Sequence, residues 1–252
     1  MKYLTKYRLS LRMPLAAAVT ALIAALMSAC AQPDLEPSPP SLSIHAPADF
    51  PAAAYAQAAA QGQRVLRVDS RSSRVVITVR RGGTLAKLGH DHVVAAQELQ
   101  GLVAPELGRA DIYLALDSLS VDDSDLRAQA GFDTQPGSAD IAATRANMLG
   151  KVLQTQQFPF ALIQVSSAAT LASNALLAVD ITLHGVRRSF SVPARVESKG
   201  KGLQVSGMLA FDQSSFGITP FSILGGAIQV QDRLELHFDV QALESAGRSR
   251  LP

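Results

Sequence analysis

The chain has 252 residues, of which 48% are hydrophobic and 17% charged, with one cysteine and no tryptophan. This composition is typical of a globular protein and excludes a wholly disordered chain, and the single cysteine excludes an intrachain disulfide. The formal net charge of +2 counts 23 basic residues, but removing the N-terminal Lys2, Lys6, Arg8 and Arg12 leaves 19 against 21 acidic residues, with no basic stripe to indicate nucleic-acid binding.

The N-terminal residues follow the order of a bacterial secretory signal. Positive charges come first, an apolar run extends from Met13 to Met27, and small residues precede Cys30. The run has about 15 residues, whereas a membrane-spanning helix needs roughly 20, so a cleaved signal over residues 1–29 is favoured over a single-span anchor. The four residues Leu26-Met27-Ser28-Ala29 resemble a lipobox, and we therefore expect Cys30 to be the lipid attachment site.

Acylation of Cys30 would hold the protein on a membrane, since each buried methylene group contributes about 0.8 kcal/mol. Ala31 and Gln32 follow Cys30, and by resemblance to enterobacterial lipoproteins the absence of Asp from the second mature position indicates the outer membrane. We expect a protein of the bacterial envelope that faces the periplasm. Residues 30–63 are rich in Pro and Ala, which predicts a semi-rigid tether that ends in a short helix at Ala52–Ala60.

From Val65 onwards the apolar residues recur with the two-residue period of β-strands. We expect Val65–Asp69 and Ser73–Arg80 to form a hairpin around Ser70-Arg71-Ser72. A second pair is predicted between Val93–Leu102 and Ala110–Leu116.

Residues 117–150 break this pattern with many polar side chains. They contain one predicted helix from Ser138, whose hydroxyl can cap it, to Leu149. We interpret this segment as an insertion packed over an opening of the strand structure, because long connections are usually functional or mobile. The remaining predicted strands are Phe158–Val165, Ala175–Leu183, Val186–Val196, Gly202–Phe211 and Ala227–Leu243.

Together these segments predict an all-β domain over residues 64–245, followed by a tail at 246–252. Short connections favour antiparallel neighbours, and closure into a barrel of about eight strands with one short helical insertion removes the exposed sheet edges. In the last strand Leu236 and Phe238 alternate with polar residues, so one face is apolar. We assign the apolar face to the lumen.

The stretch Gly89-His90-Asp91-His92 is the strongest candidate for a polar site. On a strand His90 and His92 point the same way and Asp91 points oppositely. Two histidines could bind a metal with His184 or His237 as a third donor, which would make the protein a metal- or redox-dependent envelope enzyme. The alternative is that both imidazoles hydrogen-bond turn carbonyls or hold the polar end of a ligand. His184 precedes Gly185 between two strands, which is typical of a tight hairpin.

Three motifs together resemble the YceI-like family of periplasmic polyisoprenoid-binding proteins. They are Gly89-His90-Asp91-His92, the run Asp180-Ile181-Thr182-Leu183-His184-Gly185-Val186, and Phe216-Gly217-Ile218. The resemblance covers about Val65 to Leu243. It implies a lipocalin-like antiparallel barrel whose apolar lumen holds a long isoprenoid or fatty amide chain. Relatives joined to diheme membrane cytochromes imply quinone-linked partners.

The resemblance and the strand pattern lead to one hypothesis, in which the chain binds an amphipathic isoprenoid or quinone without catalysis. No further cofactor and no metal are expected. The apolar tail would contact the lumen, and the head would lie near the His-Asp-His motif and the insertion. The expected ligand-binding residues are His90, Asp91, His92, Arg145, Asn147, His184, Phe190, Leu209, Phe211, Leu236 and Phe238.

Overall fold

The computed structural model describes residues 46–167 and 173–244 of the chain. The predicted signal peptide, Cys30, the tether up to residue 45 and the tail at 246–252 lie outside the described residues. Within the described parts, no helix is both long and apolar enough to span a membrane. The strands are β1 (Leu66–Val68), β2 (Arg74–Val79), β3 (Arg81–Gly82), β4 (His92–Ala96), β5 (Gln100–Ala104), β6 (Arg109–Ala115), β7 (Ser120–Val121), β8 (Phe160–Ser166), β9 (Asn174–Leu183), β10 (Val186–Lys199), β11 (Gly202–Asp212), β12 (Ser222–Ile223), β13 (Ile228–Val230) and β14 (Arg233–Glu244).

Antiparallel pairing closes the main sheet into a barrel. The order is β1-β5-β6-β8-β9-β10-β11-β14-β2-β4-β7, and β1 also pairs with β14. Three pairs of short strands each form one interrupted strand of the barrel: β1 with β2, β4 with β5, and β6 with β7. The two members of each pair follow one another along the same neighbouring barrel strands. The barrel therefore has eight strands, as the sequence pattern predicts.

The predicted hairpin at residues 65–80 is wrong. Both β1 and β2 run antiparallel to β14, so the chain does not reverse direction between them. The residues from Asp69 to Ser73 bulge out of the strand, and the Ser73 side chain fills the gap in the ladder. Its Oγ accepts a hydrogen bond from the Gln241 N–H at 2.9 Å and donates to the Gln241 carbonyl at 3.2 Å. The local turn residues therefore mark a bulge and not a reversal.

The predicted strand at Ala227–Leu243 is also two separate elements. Strand β13 pairs with β12 and β3 in a small second sheet, and the barrel strand β14 begins only at Arg233. The other predicted strands after residue 158 agree with β8 to β11 within a few residues. Alternation in β10 buries Val192, Ala194 and Val196 while the residues between them are exposed.

The insertion contains two helices, α2 (Ser124–Ala130) and α3 (Ser138–Asn147), after α1 (Ala52–Ala60) near the start of the described chain. Helix α3 was predicted and continues as a π-helical turn at Met148–Val152. Its cap is Gly137 and not Ser138, and the Gly137 N–H donates to Asp140. Helix α2 was not predicted; its N-cap Asp123 accepts hydrogen bonds from two backbone N–H groups of its first turn.

The longest connections lie at one end of the barrel, which we call the upper end. The connections at this end are residues 80–91, 122–159, 184–185 and 213–232, because antiparallel neighbours bring alternate connections to the same end. Short turns at residues 105–108 and 200–201 lie at the lower end. The predicted functional motifs therefore lie on the upper end.

Helix α1 packs against the outer wall of the barrel. The buried Tyr55 hydroxyl donates a hydrogen bond to Asp111 Oδ2 at 2.7 Å, and the same carboxylate accepts from Arg109 at 2.7 Å and Gln164 at 3.0 Å. Burial alone raises the pKa of Asp111, but these hydrogen bonds outweigh it and hold the pKa below its usual value. The ionised carboxylate is thus the form that stabilises this contact.

We expect Asp111→Asn to lower the free energy of unfolding by about 1–3 kcal/mol at neutral pH, because three donors then lose a charged acceptor. Because the pKa of Asp111 is lower in the folded state, the unfolded chain binds more protons near pH 4. The stabilisation by the ionised carboxylate is therefore present above about pH 4 and is lost as the pH falls through the folded-state pKa. Urea titrations across this range should show a flatter pH dependence in Asp111→Asn. Glu106→Gln, in an exposed ion pair with Arg64, is the control. An unchanged pH slope in Asp111→Asn would contradict this assignment.

Candidate functional site

The interior of the barrel holds a cavity of about 570 Å³. This volume lies within the range of about 300–1,000 Å³ typical of small-molecule sites. Most of its wall is aliphatic and comes from every strand of the barrel. Wall residues include Val75, Ile77, Val94, Ile112, Leu114, Ile163, Val179, Ile181, Val205, Leu234 and Val240.

The cavity remains open because several inward positions carry small side chains. Ala96, Ala110, Ala161 and Ala242 line it, and the chain has no tryptophan to fill the space. An eight-stranded barrel has an interior just wide enough to be filled by large side chains or to hold one small ligand. In this chain the small side chains leave room for a ligand.

Polar groups line the cavity at its upper end. Arg81, His90, His92, Asn147 and Gln229 all contribute to this part of the wall. The His90 and His92 rings lie with their centroids 6.3 Å apart and nearly perpendicular. The His90 Nδ1 atom is buried and has no hydrogen-bond partner among the described residues. It is therefore a group that a bound molecule could satisfy.

His92 is held by a buried carboxylate. Its Nδ1 lies 2.6 Å from Asp122 Oδ2, and Asp122 Oδ1 accepts from the Val93 N–H at 3.0 Å and from Arg127 at 2.6 Å. Burial raises the pKa of Asp122, but the hydrogen bonds from His92, Val93 and Arg127 outweigh it and keep the pKa below its usual value. Because the ionised carboxylate only accepts, the His92 Nδ1 carries the proton and Nε2 is the nitrogen available to a ligand.

Asp91 points away from the cavity, as the alternation predicts. Its Oδ1 accepts from the Arg81 N–H at 2.9 Å, and its Oδ2 lies 3.4 Å from the Arg80 guanidinium. The Asp91 carbonyl accepts a hydrogen bond from Arg127 at 2.6 Å. Asp91 therefore fixes the backbone that carries the two histidines, and it does not line the cavity.

The YceI-like domain model matches residues 66–242, which is most of the chain. The chain belongs to the YceI-like family. A polyisoprenoid binding domain from Saccharophagus degradans, implicated in plant cell wall breakdown, has a similar structure, with a TM-score of 0.52 and 12% identity over 72% of this chain and 99% of that one. BcnA from Burkholderia cenocepacia gives a TM-score of 0.49 and 17% identity over 69% of this chain and 98% of that one. No curated protein sequence matches significantly.

Seven of the eleven predicted ligand-binding residues of this YceI-like barrel line the cavity. Asn147 lies at the upper end with His90 and His92, because helix α3 covers that opening. The remaining residues that line the cavity belong to β11 and β14, whose apolar faces point inward. They are Leu209, Phe211, Leu236 and Phe238.

The other four predicted residues, of which Asp91 is one, do not line the cavity. Arg145 donates to the carbonyls of Leu119, at 3.0 Å, and Asp117, so it fastens α3 to the preceding loop. Phe190 packs against Phe211 and Phe216, with centroids 6.3 and 6.2 Å away, and fills one side of the barrel. These two side chains are used by the fold itself.

His184 also lies outside the cavity wall. Both His184 and Gly185 have positive φ, 53° and 74°, in the two-residue turn between β9 and β10. The His184 ring packs on Phe158 at a centroid distance of 4.3 Å, and a side chain on Gly185 would come within 2.9 Å of the same ring. The motif therefore forms a tight hairpin, which is the alternative that the sequence favoured.

Sequence reasoning missed Arg81 and Asp122. Arg81 continues the face of Val75, Ile77 and Val79, all of which line the cavity, so the two-residue period contained a signal for it. No comparable signal marks Asp122, which has a φ of 57° and reaches His92 only through the fold of the insertion. The described residues contain no group of three or more His, Cys, Asp or Glu side chains that could hold a metal ion.

We expect Arg127→Met to lower the free energy of unfolding by about 3–5 kcal/mol, because the buried Asp122 carboxylate loses its guanidinium partner. Urea unfolding followed by circular dichroism would measure the change. Arg80→Met is the matched control; its side chain is 45% exposed beside Asp91, so its removal should cost less than about 1 kcal/mol. Equal midpoints for the two variants would show that the Asp122 network does not support this end of the barrel.

Proposed function

We propose that the barrel binds one amphipathic isoprenoid or other long-chain lipid, of the quinone or polyprenyl type, for storage or transport. The observation that carries the proposal is the open aliphatic cavity of about 570 Å³ inside the barrel. Nothing in its wall between the two ends demands a polar partner. A flexible hydrocarbon chain is the ligand that such a wall suits.

Hydrophobic burial is sufficient for useful affinity. A chain that buries about ten methylene groups gains about 8 kcal/mol. Association costs on the order of 4 kcal/mol or more, and each further buried methylene adds to the surplus. The ligand class is also the one named for the Saccharophagus degradans domain, a polyisoprenoid binding domain. The tail therefore supplies most of the binding free energy.

The polar head of the ligand would lie at the upper end of the cavity. There His92 Nε2 can accept a hydrogen bond from a hydroxyl group, and the Asn147 amide can donate one to a carbonyl. His90 Nδ1 can donate or accept, according to its tautomer. These contacts orient the ligand so that its head is at the upper end. The proposal involves no chemical change of the ligand, so the histidines act as hydrogen-bonding groups and not as catalysts.

The cellular part of the proposal rests on the sequence. We propose that residues 1–29 direct export, that Cys30 is acylated, and that the barrel faces the periplasm from the outer membrane. A barrel that carries a quinone would deliver it to, or receive it from, a membrane cytochrome or another quinone-linked protein. The lipid anchor would keep the carrier beside the membrane that supplies the ligand.

Leu209→Asp should abolish lipid retention, because it places a carboxylate in the wall of the cavity. Its neighbour Met208 is exposed on the outer face of the same strand, so Met208→Asp is the matched control and should retain the lipid. The wild type and both variants would be purified from the native host, extracted with organic solvent and analysed by mass spectrometry.

His90→Ala in the same assay should weaken retention several-fold without abolishing it, since one hydrogen bond contributes about 1 kcal/mol. Wild-type protein without any extractable long-chain lipid would refute the proposal. Elemental analysis of the same preparations tests the alternative of a metal enzyme, for which a stoichiometric metal that His90→Ala removes is the expected result.

Cys30→Ala tests the proposed anchor. Loss of the acylation site should prevent signal cleavage at this position and remove the fatty acids that intact-mass spectrometry detects on the mature wild-type chain. Ser28→Thr, which keeps the cysteine, is the control. A wild-type chain with an unmodified Cys30 would disprove the anchor and leave the lipid-binding proposal intact.

A further inference from the structure

Four large apolar side chains are exposed at the upper end of the barrel. They are Leu85, Leu88, Ile223 and Leu224, and we call them the apolar rim. Leu88 and Leu224 are each 69% exposed, which leaves most of both side chains in water. Exposed apolar side chains that lie together indicate an interaction surface.

The two segments that carry the apolar rim pack against each other. The Leu85 N–H donates to the Ala227 carbonyl at 2.8 Å, and β13 pairs with both β3 and β12 in the small sheet. A side chain on Gly83 would come within 2.6 Å of the Gly226 carbonyl oxygen, so the two backbones approach closely. The apolar rim is therefore one surface, held by backbone pairing.

The apolar rim is continuous with the cavity. Leu88 and Ile223 belong to the cavity wall as well as to the exposed surface, and Phe221 lies in the same wall. A hydrocarbon chain could thus pass from the rim into the cavity along apolar side chains.

Basic side chains lie on the segments around the apolar rim. They are Arg80, Arg81, Lys87 and Lys151, and two acidic residues, Asp91 and Asp232, lie at the ends of the segments that carry the rim. Lys151 lies 5.8 Å from the centre of the Phe221 ring, and Lys87 stands between Leu85 and Leu88 in the chain. Arg80 is paired with Asp91 and Arg81 with Asp133, but Lys87 and Lys151 have no salt bridge among the described residues.

We propose that the apolar rim docks on the surface of a lipid bilayer that contains anionic headgroups. The leucines and Ile223 enter the boundary between headgroups and acyl chains, and Lys87 and Lys151 contact the phosphates. This pairing of apolar and cationic groups fits a bilayer better than a second copy of the chain, because two copies meeting at this surface would bring the same cations together.

This proposal rests on the proposed function only in its explanation of what docking achieves. A cavity that opens onto a membrane lets a lipid enter without exposing its tail to water, whereas an opening towards water would not. Docking itself is a property of the barrel surface and can be measured with or without bound lipid. Failure of one proposal is therefore distinguishable from failure of the other.

The absence of tryptophan from the chain makes a single-tryptophan experiment direct. Leu88→Trp or Leu224→Trp would report on the apolar rim, and Leu107→Trp, 52% exposed at the lower end, is the matched control. Each full-length protein would be reconstituted in vesicles of phosphatidylcholine and phosphatidylglycerol, with brominated acyl chains as quenchers. We expect emission from the rim probes to shift to shorter wavelength and to be largely quenched, and the Leu107→Trp probe to be unaffected.

A charge variant tests the electrostatic part. In the Leu224→Trp protein, Lys87→Glu should reduce quenching severalfold, whereas Lys201→Glu at the lower end should leave it unchanged. Equal quenching of rim and lower-end probes would overturn the proposal, since it would show no preferred orientation. A blue shift that depends on protein concentration and not on lipid would overturn it in favour of self-association.

Discussion

The open cavity depends on one packing constraint, the mismatch between the width of an eight-stranded barrel and the size of the side chains inside it. Closure fixes the width, because strand number and tilt leave little freedom. Alanines at positions such as 96, 161 and 242 then leave the lumen partly empty, while the Phe190, Phe211 and Phe216 cluster fills only one side. A core with this empty volume lacks dispersion contacts that a filled core would make, and a hydrocarbon chain in the cavity would restore them.

Most polar residues of the cavity wall lie at the upper end of the barrel, where the long connections are. His92, Asp122 and Arg127 form a buried series in which each charge has a partner, so the imidazole orientation is set before a ligand arrives. Such preorganisation reduces the ordering cost of binding a flexible molecule. The insertion is the source of both Asp122 and Asn147, so it supplies the carboxylate that orients His92 and one polar group of the cavity wall.

The sequence predicts the barrel well, because a strand with one buried face and one exposed face shows a two-residue hydrophobic period along its length. It fails where a local signal has two physical solutions. The Ser70-Arg71-Ser72 turn is compatible with a reversal or a bulge, and only pairing with β14, over 150 residues away, decides between them. The alternation predicts that Leu209 and Leu236 point inward. The role of Arg145 could not be predicted, because it holds α3 through loop carbonyls whose positions no sequence pattern reveals.

The attachment of α1 has a mechanical consequence. Near the start of the described chain, the Tyr55 hydroxyl donates a hydrogen bond to Asp111 on the outside of β6, and the Phe50 ring packs edge-on against Tyr113 at a centroid distance of 5.0 Å. Tension applied from the N-terminal side would therefore reach the contacts of Tyr55 and Phe50 before it reached the ladder of β1. If those contacts broke first, α1 would separate from the barrel wall while the strands around the cavity stayed paired.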